Sequence, residues 1–254
     1  MNGIVIIFLS LFSLSSIAAE VKFGFFESPS QRVEKFKSSF PVGSRFSEAM
    51  FVGSMNIPLP AGDWVLVAES ADIPVLNDLS KDSKSESVPH GRVMLVSADM
   101  VGESRPRKLL ILRMPLGGFK NRTWLVSVPN VCNPDWGGKS IIDRELLSLD
   151  QRSLDCRAIS YAKIFSWNDF LVNSGKVGLK YLGGSYGGKD NYLLSMILLS
   201  KNNSVFYAEY AELVDDGEYE DVSTFIKQHD SEVVGFRSTA LILNSKFKSA
   251  FDAM

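Results

Sequence analysis

The sequence predicts an α+β fold made mainly of antiparallel β-sheet hairpins, with a C-terminal amphipathic helix and short helices at the edges. The first observation is a series of short apolar runs bounded by turn residues, which is typical of sheet strands. The second is a pair of apolar-aromatic runs, 192–200 and 205–213, around a polar turn, which predicts a hairpin. The third is helical periodicity in residues 231–254.

The composition is that of a globular protein. Of 254 residues, 45% are apolar and 22% are charged, and 27 basic residues nearly balance 29 acidic ones to leave a net charge of −2. This apolar content argues against a disordered chain, and the biases of collagens, coiled coils and polytopic membrane proteins are absent. With the charge so nearly balanced, no long-range positive field attracts nucleic acid, so nucleic acid is not expected as a partner.

Residues 1–19 predict a signal peptide. The segment contains no charged side chain, is apolar from residue 4 to residue 14 and ends in small residues. Cleavage after Ala18 or Ala19 starts the mature chain near Glu20 and places it outside the cytoplasm, in the periplasm or secreted. A membrane-anchored protein with an uncleaved N-terminal segment is the alternative, but a span needs about 20 apolar residues and this run is shorter. No stable membrane span is therefore expected after cleavage.

Residues 20–254 are expected to form a single globular domain, since nothing in the sequence requires a division. At its beginning, residues 31–39 predict a short helix that ends before a Pro-Val-Gly turn. Residues 64–68 follow a Pro-Ala-Gly-Asp turn and predict a strand. The polar, serine-rich stretch 77–87 predicts a mobile loop.

The middle of the chain predicts further strands and a helix. Residues 92–98 and 108–114 are apolar runs with a longer connection between them, which predicts a second hairpin. Residues 123–128 predict another strand, and residues 157–164 alternate well enough to form one. Between these two, residues 141–149 are expected to form a short helix.

The last part of the chain carries the clearest patterns. Residues 166–171 predict a helical turn that Ser166 caps. The second arm of the 192–213 hairpin alternates between two faces, one with Phe206, Ala208 and Tyr210 and the other with Tyr207, Glu209 and Ala211. The C-terminal helix has one apolar stripe at steps of three and four residues, predicted to pack on the sheet: Phe236, Ala240, Leu243, Phe247 and Phe251.

The two cysteines, Cys132 and Cys156, are expected to form a disulfide. An oxidising compartment favours pairing, and two cysteines allow only one intramolecular bridge. The residues around Cys132 are turn-forming, so the bridge is expected to tie down irregular structure. Buried free thiols and a reactive or metal-binding cysteine are the alternatives.

Motifs for cofactors and metals are absent or incomplete. Residues 183–189 match G-x-x-x-x-G-K, but Asp190 stands where a phosphate-binding loop needs Ser or Thr, so a connecting loop is expected. The acidic stretch 215–221 lacks EF-hand spacing and predicts a solvated turn. No zinc-protease motif occurs. No cofactor and no metal are expected.

A few single residues are candidates for contact or modification. His90 and His229 are expected at the surface, and Trp64 in the core. Trp136, next to two glycines, is a candidate for aromatic contact at the surface. Asn121 and Asn202 begin glycosylation sequons, which matter only in a eukaryotic source.

These features favour an exported accessory or binding protein without catalysis, whose ligand is an envelope protein or a small molecule. The main alternative is an envelope hydrolase that acts through scattered carboxylates, because two acids brought together in space leave no sequence motif. Removing an acid pair separates the two, since only the hydrolase would lose its function.

Overall fold

The computed structural model describes residues 20–73, 88–100, 106–117, 132, 140–149, 153–163, 190–201, 204–215 and 217–254. Within this part, no helix is long and apolar enough to cross a lipid bilayer. Some predictions lie outside the described residues: the signal peptide 1–19, the loop 77–87, the strand 123–128, the helical turn 166–171 and the glycine-rich loop 183–189.

The described residues form two β-sheets. Their strands, in chain order, are β1 Glu20–Val21, β2 Arg45–Phe46, β3 Ala49–Val52, β4 Met55–Pro58, β5 Trp64–Asp72, β6 His90–Ser97, β7 Lys108–Pro115, β8 Ile141–Leu149, β9 Ser153–Lys163, β10 Asn191–Lys201 and β11 Ser204–Asp215. The small sheet has the order β1-β3-β4, and the large sheet has the order β2-β5-β6-β7-β11-β10-β9-β8. Every pair in the large sheet is antiparallel. The predicted α+β class with mainly antiparallel sheet is therefore confirmed.

The β10–β11 hairpin is confirmed, with Lys201 opposite Ser204 at its tip. The predicted alternation also holds: Phe206, Ala208 and Tyr210 belong to the main core, and Tyr207 and Ala211 belong to a second apolar cluster. Successive side chains of a strand point to opposite faces, so this strand divides its apolar residues between two layers. Both faces of the large sheet are consequently apolar.

Three further strands follow their sequence patterns. Strand β6 pairs antiparallel with β7, as expected for the second hairpin. Strand β5 begins at Trp64, which is buried and whose Nε1 donates a hydrogen bond of 2.8 Å to the Pro60 carbonyl. Gly62 lies between these two residues at φ 121°, a conformation that favours glycine. The core position predicted for Trp64 is confirmed.

The prediction of a helix at 141–149 is wrong, because these residues form the edge strand β8. Its register on β9 shifts twice, once between Ile141 and Asp143 and once between Leu146 and Ser148. A local pattern rich in Leu, Glu and Arg favours a helix, but antiparallel pairing with β9, which begins at Ser153 just after β8, satisfies the backbone hydrogen bonds of this segment. Such bulges are common at sheet edges, where they disrupt further pairing.

Helices cover one face of the large sheet. Helix α1, Pro29–Ser39, contains the predicted helix 31–39 and begins two residues earlier. Ser28 is its N-cap, and Ser28 and Gln31 form a reciprocal capping box. Helix α2, Val222–Gln228, was not predicted; its N-cap is Asp221, whose side chain accepts a hydrogen bond from Thr224 N at 2.8 Å.

Helix α3, Asp230–Asp252, confirms the predicted C-terminal helix. All five residues of the predicted stripe are buried, and they join the main core together with Val233. Lys248 forms an ion pair of 2.8 Å with Asp155 of β9, so the polar border of α3 is also tied to the sheet. The small sheet contributes Met50 and Ile57 to the same core, which places it on the same face as the helices.

Candidate functional site

A cleft opens between strands β8 and β9 and helix α3. The centres of water-sized molecules can occupy about 60 Å³ of it, which is room for roughly four or five waters. Two acids and three arginines line it, together with apolar residues and an amide: Asp143, Glu145, Arg144, Arg157, Arg237, Ala158, Ile159, Ala240, Leu241 and Asn244. The cleft therefore suits a small charged group.

Strand register and helix docking bring these residues together. Asp143 lies opposite Ile159, and Glu145 lies opposite Arg157, so these four share one face of the β8–β9 pair. Arg237 reaches the same face from α3. Because α3 is far from the β8–β9 pair in sequence, no local motif predicted the cleft.

The charges in the cleft are only partly matched. Arg157 donates to Glu145 Oε2 from Nε at 2.9 Å and also from Nη2. Arg237 Nε lies 4.0 Å from Asp143 Oδ2, which is an ion-pair distance beyond that of a hydrogen bond. This Nε atom is buried and has no hydrogen-bond partner among the described residues. The cleft thus contains a guanidinium N–H whose hydrogen bond is not made by the described residues.

Asn244 places a polar group in the buried stripe of α3. Its Oδ1 accepts a hydrogen bond of 3.4 Å from the hydroxyl of Ser195, which is itself buried on β10. Since buried polar groups are costly without partners, this pair fixes the side of the cleft formed by α3. In the sequence, the only sign of this contact is a polar Asn next to the apolar stripe of α3.

Cys132 and Cys156 form the predicted disulfide, with 5.9 Å between their Cα atoms. Cys156 lies within β9, next to Arg157 and opposite Leu146, while Cys132 Sγ lies 3.3 Å from the Glu145 carbonyl oxygen. The bridge therefore holds the chain at residue 132, which is a turn residue as expected, against the β8–β9 pair. It supports the two strands that carry Glu145 and Arg157.

A second polar cluster, formed by Asp215, Tyr219 and His229, lies at the start of α3. His229 Nε2 is 3.0 Å from Asp215 Oδ2 and 2.7 Å from the Tyr219 hydroxyl, which donates to the same carboxylate oxygen. Arg237 follows His229 by eight residues, or about 12 Å along the helix, so this cluster is separate from the cleft. Phe225 packs against His229 at 5.0 Å between ring centroids.

Asp215 begins the acidic stretch 215–221 and is only partly exposed, whereas Glu218, Glu220 and Asp221 are exposed, as predicted for a solvated turn. Burial acts to raise the pKa of Asp215, but hydrogen bonds from Tyr219 and Asn191, the amide of Gly217 and the nearby His229 outweigh it and lower the pKa. The carboxylate thus connects the end of β11 to the junction of α2 and α3. It is a bracing contact, which the spacing of acids in the sequence did not reveal.

The prediction that His90 is at the surface is wrong. His90 begins β6 and is 1% exposed. Burial, followed by the positive charge of Arg113, lowers the pKa of His90 to about 4, although the backbone of Val88 and the carboxylate of Asp72 act in the opposite direction. Arg92 adds a smaller lowering effect. His90 is therefore neutral in the folded protein at neutral pH.

This burial predicts a loss of stability in acid. The pKa of His90 is about 4 in the folded protein against an ordinary value of 6.5. Above pH 6.5, the contribution of the neutral His90 to the free energy of unfolding is therefore fully present. As the pH falls toward 4, the unfolded chain gains a proton first, and stability is lost. Between about pH 7.5 and about pH 5 we expect a loss of about 2 kcal/mol in the free energy of unfolding, measured by urea denaturation. His90→Gln should remove most of this pH dependence, and an unchanged slope in His90→Gln would contradict the prediction.

The contact candidate Trp136 and the sequon residues Asn121 and Asn202 lie outside the described part of the chain. Among the residues that are described, no group of three or more His, Cys, Asp and Glu side chains is arranged to hold a metal ion. Comparisons with protein-family models, with curated proteins and with solved structures each find no match to this chain, and its function is therefore inferred from the described residues themselves.

Proposed function

We propose that this chain is an exported accessory protein that binds an anionic group without catalysis, in the cleft between β8, β9 and α3. The observation that carries the proposal is the buried Nε of Arg237, which lines the cleft and lacks a hydrogen-bond partner in the described structure. A buried donor without a partner is costly, and an anionic acceptor would remove that cost. The group belongs to a small molecule or to an envelope protein.

The size and chemistry of the cleft favour a carboxylate or a phosphate. Guanidinium groups bind both through paired N–H donors, and about 60 Å³ is enough for such a group but not for a large ligand. Leu241 and Ala240 form an apolar border of the cleft. They are placed to contact the aliphatic part of a molecule whose acidic end reaches Arg237.

The arrangement of the acids favours binding over hydrolysis. Glu145 already accepts two hydrogen bonds from Arg157 at one oxygen, and Asp143 is the ion-pair partner of Arg237. Both carboxylates therefore serve to position arginines. Removing them together in Asp143→Asn/Glu145→Gln distinguishes the two functions, because a binding protein should keep or strengthen its affinity for an anion, whereas a hydrolase would lose activity.

Export is supported by the disulfide, since such bridges form and persist in oxidising compartments outside the cytoplasm. The apolar segment 1–19 supports the same interpretation.

The cleft proposal predicts a specific loss of affinity in Arg237→Gln. Inorganic phosphate and succinate, which represent the two anion types, are titrated into the protein, and binding is measured by the rise in melting temperature and by calorimetry. A charge-assisted hydrogen bond is worth about 1.5–3 kcal/mol, so the variant should bind the preferred anion about tenfold more weakly or worse.

Arg45→Gln is the matched control, because Arg45 is exposed on β2 and is not part of the cleft lining. It should bind like the wild type. Equal affinity of Arg237→Gln and Arg45→Gln, or no binding of either anion by the wild type, would contradict the proposal. A preference for succinate or for phosphate would tell which acidic group the cleft selects.

A further inference from the structure

A turn near the described N-terminus presents two aromatic side chains to solvent. Residues Gly24 to Glu27 form a β-turn closed by a hydrogen bond of 3.3 Å from Glu27 N to the Gly24 carbonyl. Its two central residues, Phe25 and Phe26, are 88% and 94% exposed. Their rings meet edge to face at 5.1 Å between centroids. Single exposed apolar residues are common on proteins, but two adjacent phenylalanines at a turn tip leave an unusually large apolar area in water.

The turn is braced from beneath by Arg32 of α1. This guanidinium donates to the carbonyls of Gly24 at 3.0 Å and Glu27 at 3.1 Å, which are the two ends of the turn. It also donates to the Leu116 carbonyl at 3.0 Å, just after β7. One side chain thus fixes the turn to the large sheet. The phenylalanines are therefore held outward before any partner arrives, which reduces the ordering cost of binding.

Most of the polar groups at the base of the turn already have partners within the protein, and the exception among the described residues is Glu27 Oε2. The carbonyl of Gly24 accepts two hydrogen bonds, the carbonyl of Glu27 accepts one, and the Glu27 carboxylate pairs with Lys35 at 2.7 Å. Polar groups that are hydrogen-bonded within the protein lose little hydrogen-bonding free energy when water is withdrawn from around them. The turn can consequently enter an apolar medium tip first.

We propose that Phe25 and Phe26 insert into the boundary between headgroups and acyl chains of a lipid bilayer. The available area favours this partner over a protein. Two phenylalanines supply about 300–500 Å², whereas a specific protein interface needs roughly 600 Å² or more from each side. A bilayer requires no complementary surface, and each inserted ring contributes independently.

The position of the turn in the chain supports the same partner. Phe25 follows the apolar segment 1–19 by only a few residues, and four residues lie between it and Glu20. At about 3.5 Å per residue, the turn lies within about 20 Å of the end of that segment. A membrane that takes up residues 1–19 during export therefore comes within reach of the turn.

The test compares Phe25→Ser/Phe26→Ser with the wild type in sedimentation with vesicles. Both proteins are purified after export, in the N-terminal form that mass spectrometry identifies, so that residues 1–19 do not differ between them. Vesicles of phosphatidylethanolamine with phosphatidylglycerol and vesicles of phosphatidylcholine alone are used. Each phenylalanine should contribute about tenfold, so the double variant should bind about a hundredfold more weakly to both kinds of vesicle.

Val234→Ser/Ile242→Ser is the matched control, because these residues are exposed apolar side chains of α3, outside the cleft lining and far along the chain from the turn. It should bind vesicles like the wild type. Phe26→Trp should retain binding and show a blue shift of its fluorescence with vesicles, as expected for a ring that enters the interface. Failure of the wild type to bind either vesicle, or equal binding by the Phe25→Ser/Phe26→Ser variant, would overturn the proposal. A wild type that binds no vesicle would indicate that the turn binds a pocket of a protein instead.

Discussion

Phe247→Ala is expected to lower the free energy of unfolding by about 3–5 kcal/mol. Phe247 is 1% exposed and contacts Phe206 of β11 at 5.6 Å between ring centroids. It is part of the stripe through which α3 packs on the large sheet. Truncation removes the ring from the main core and leaves a cavity that the surrounding helix and strands fill only in part.

Urea denaturation measures this loss, and Ile242→Ala is the control. Ile242 lies on the same helix but is 60% exposed, so its truncation should change the free energy of unfolding by no more than about 0.5 kcal/mol. A loss below about 1 kcal/mol for Phe247→Ala, or equal losses for the two variants, would mean that α3 is not docked through this stripe.

Replacing both Cys132 and Cys156 by Ala is expected to cost about 3 kcal/mol, because the unfolded chain loses the constraint of a loop of about 25 residues. The two cysteines are 24 residues apart and form the bridge behind the β8–β9 pair. Replacing both by Ser should cost more, since Cys156 is fully buried and a hydroxyl at that position would need a new partner.

Reductant distinguishes this effect from a packing defect. Dithiothreitol should destabilise the wild type about as much as the Ala pair does, and it should leave the Ala pair unchanged. Mass spectrometry of the native, unreduced protein should find neither thiol open to alkylation. If both thiols are alkylated, the bridge is absent and the disulfide no longer supports export of the protein.

The sequence by itself determined the elements whose signals are local. The β10–β11 hairpin was predictable because its two arms are adjacent in the chain and alternate between faces. Helix α3 was predictable because Phe236, Ala240 and Phe247 repeat at helical spacing. The disulfide was predictable from the count of cysteines together with an apolar N-terminal segment.

Only the tertiary structure decided the fate of segments whose local sequence pattern differs from what their partners in the fold impose. Residues 141–149 have local preferences for a helix, and they form a strand because β9 supplies their hydrogen bonds. His90 is a polar residue in a loop-like sequence, and it is buried because β5 and β7 pair with β6 on either side of it.

The candidate site depends on a contact between elements that are distant in sequence, because α3 packs on the β8–β9 pair. Asp143, Arg157 and Arg237 meet only when β8 pairs with β9 and α3 packs across them. The braced turn likewise requires Arg32 to reach the Leu116 carbonyl, 84 residues away. Local patterns predict secondary structure because the spacing of apolar residues within one segment is enough to indicate a helix or a strand. Cleft, brace and burial arise from contacts between residues far apart in sequence, and the packing of the whole domain decides those contacts.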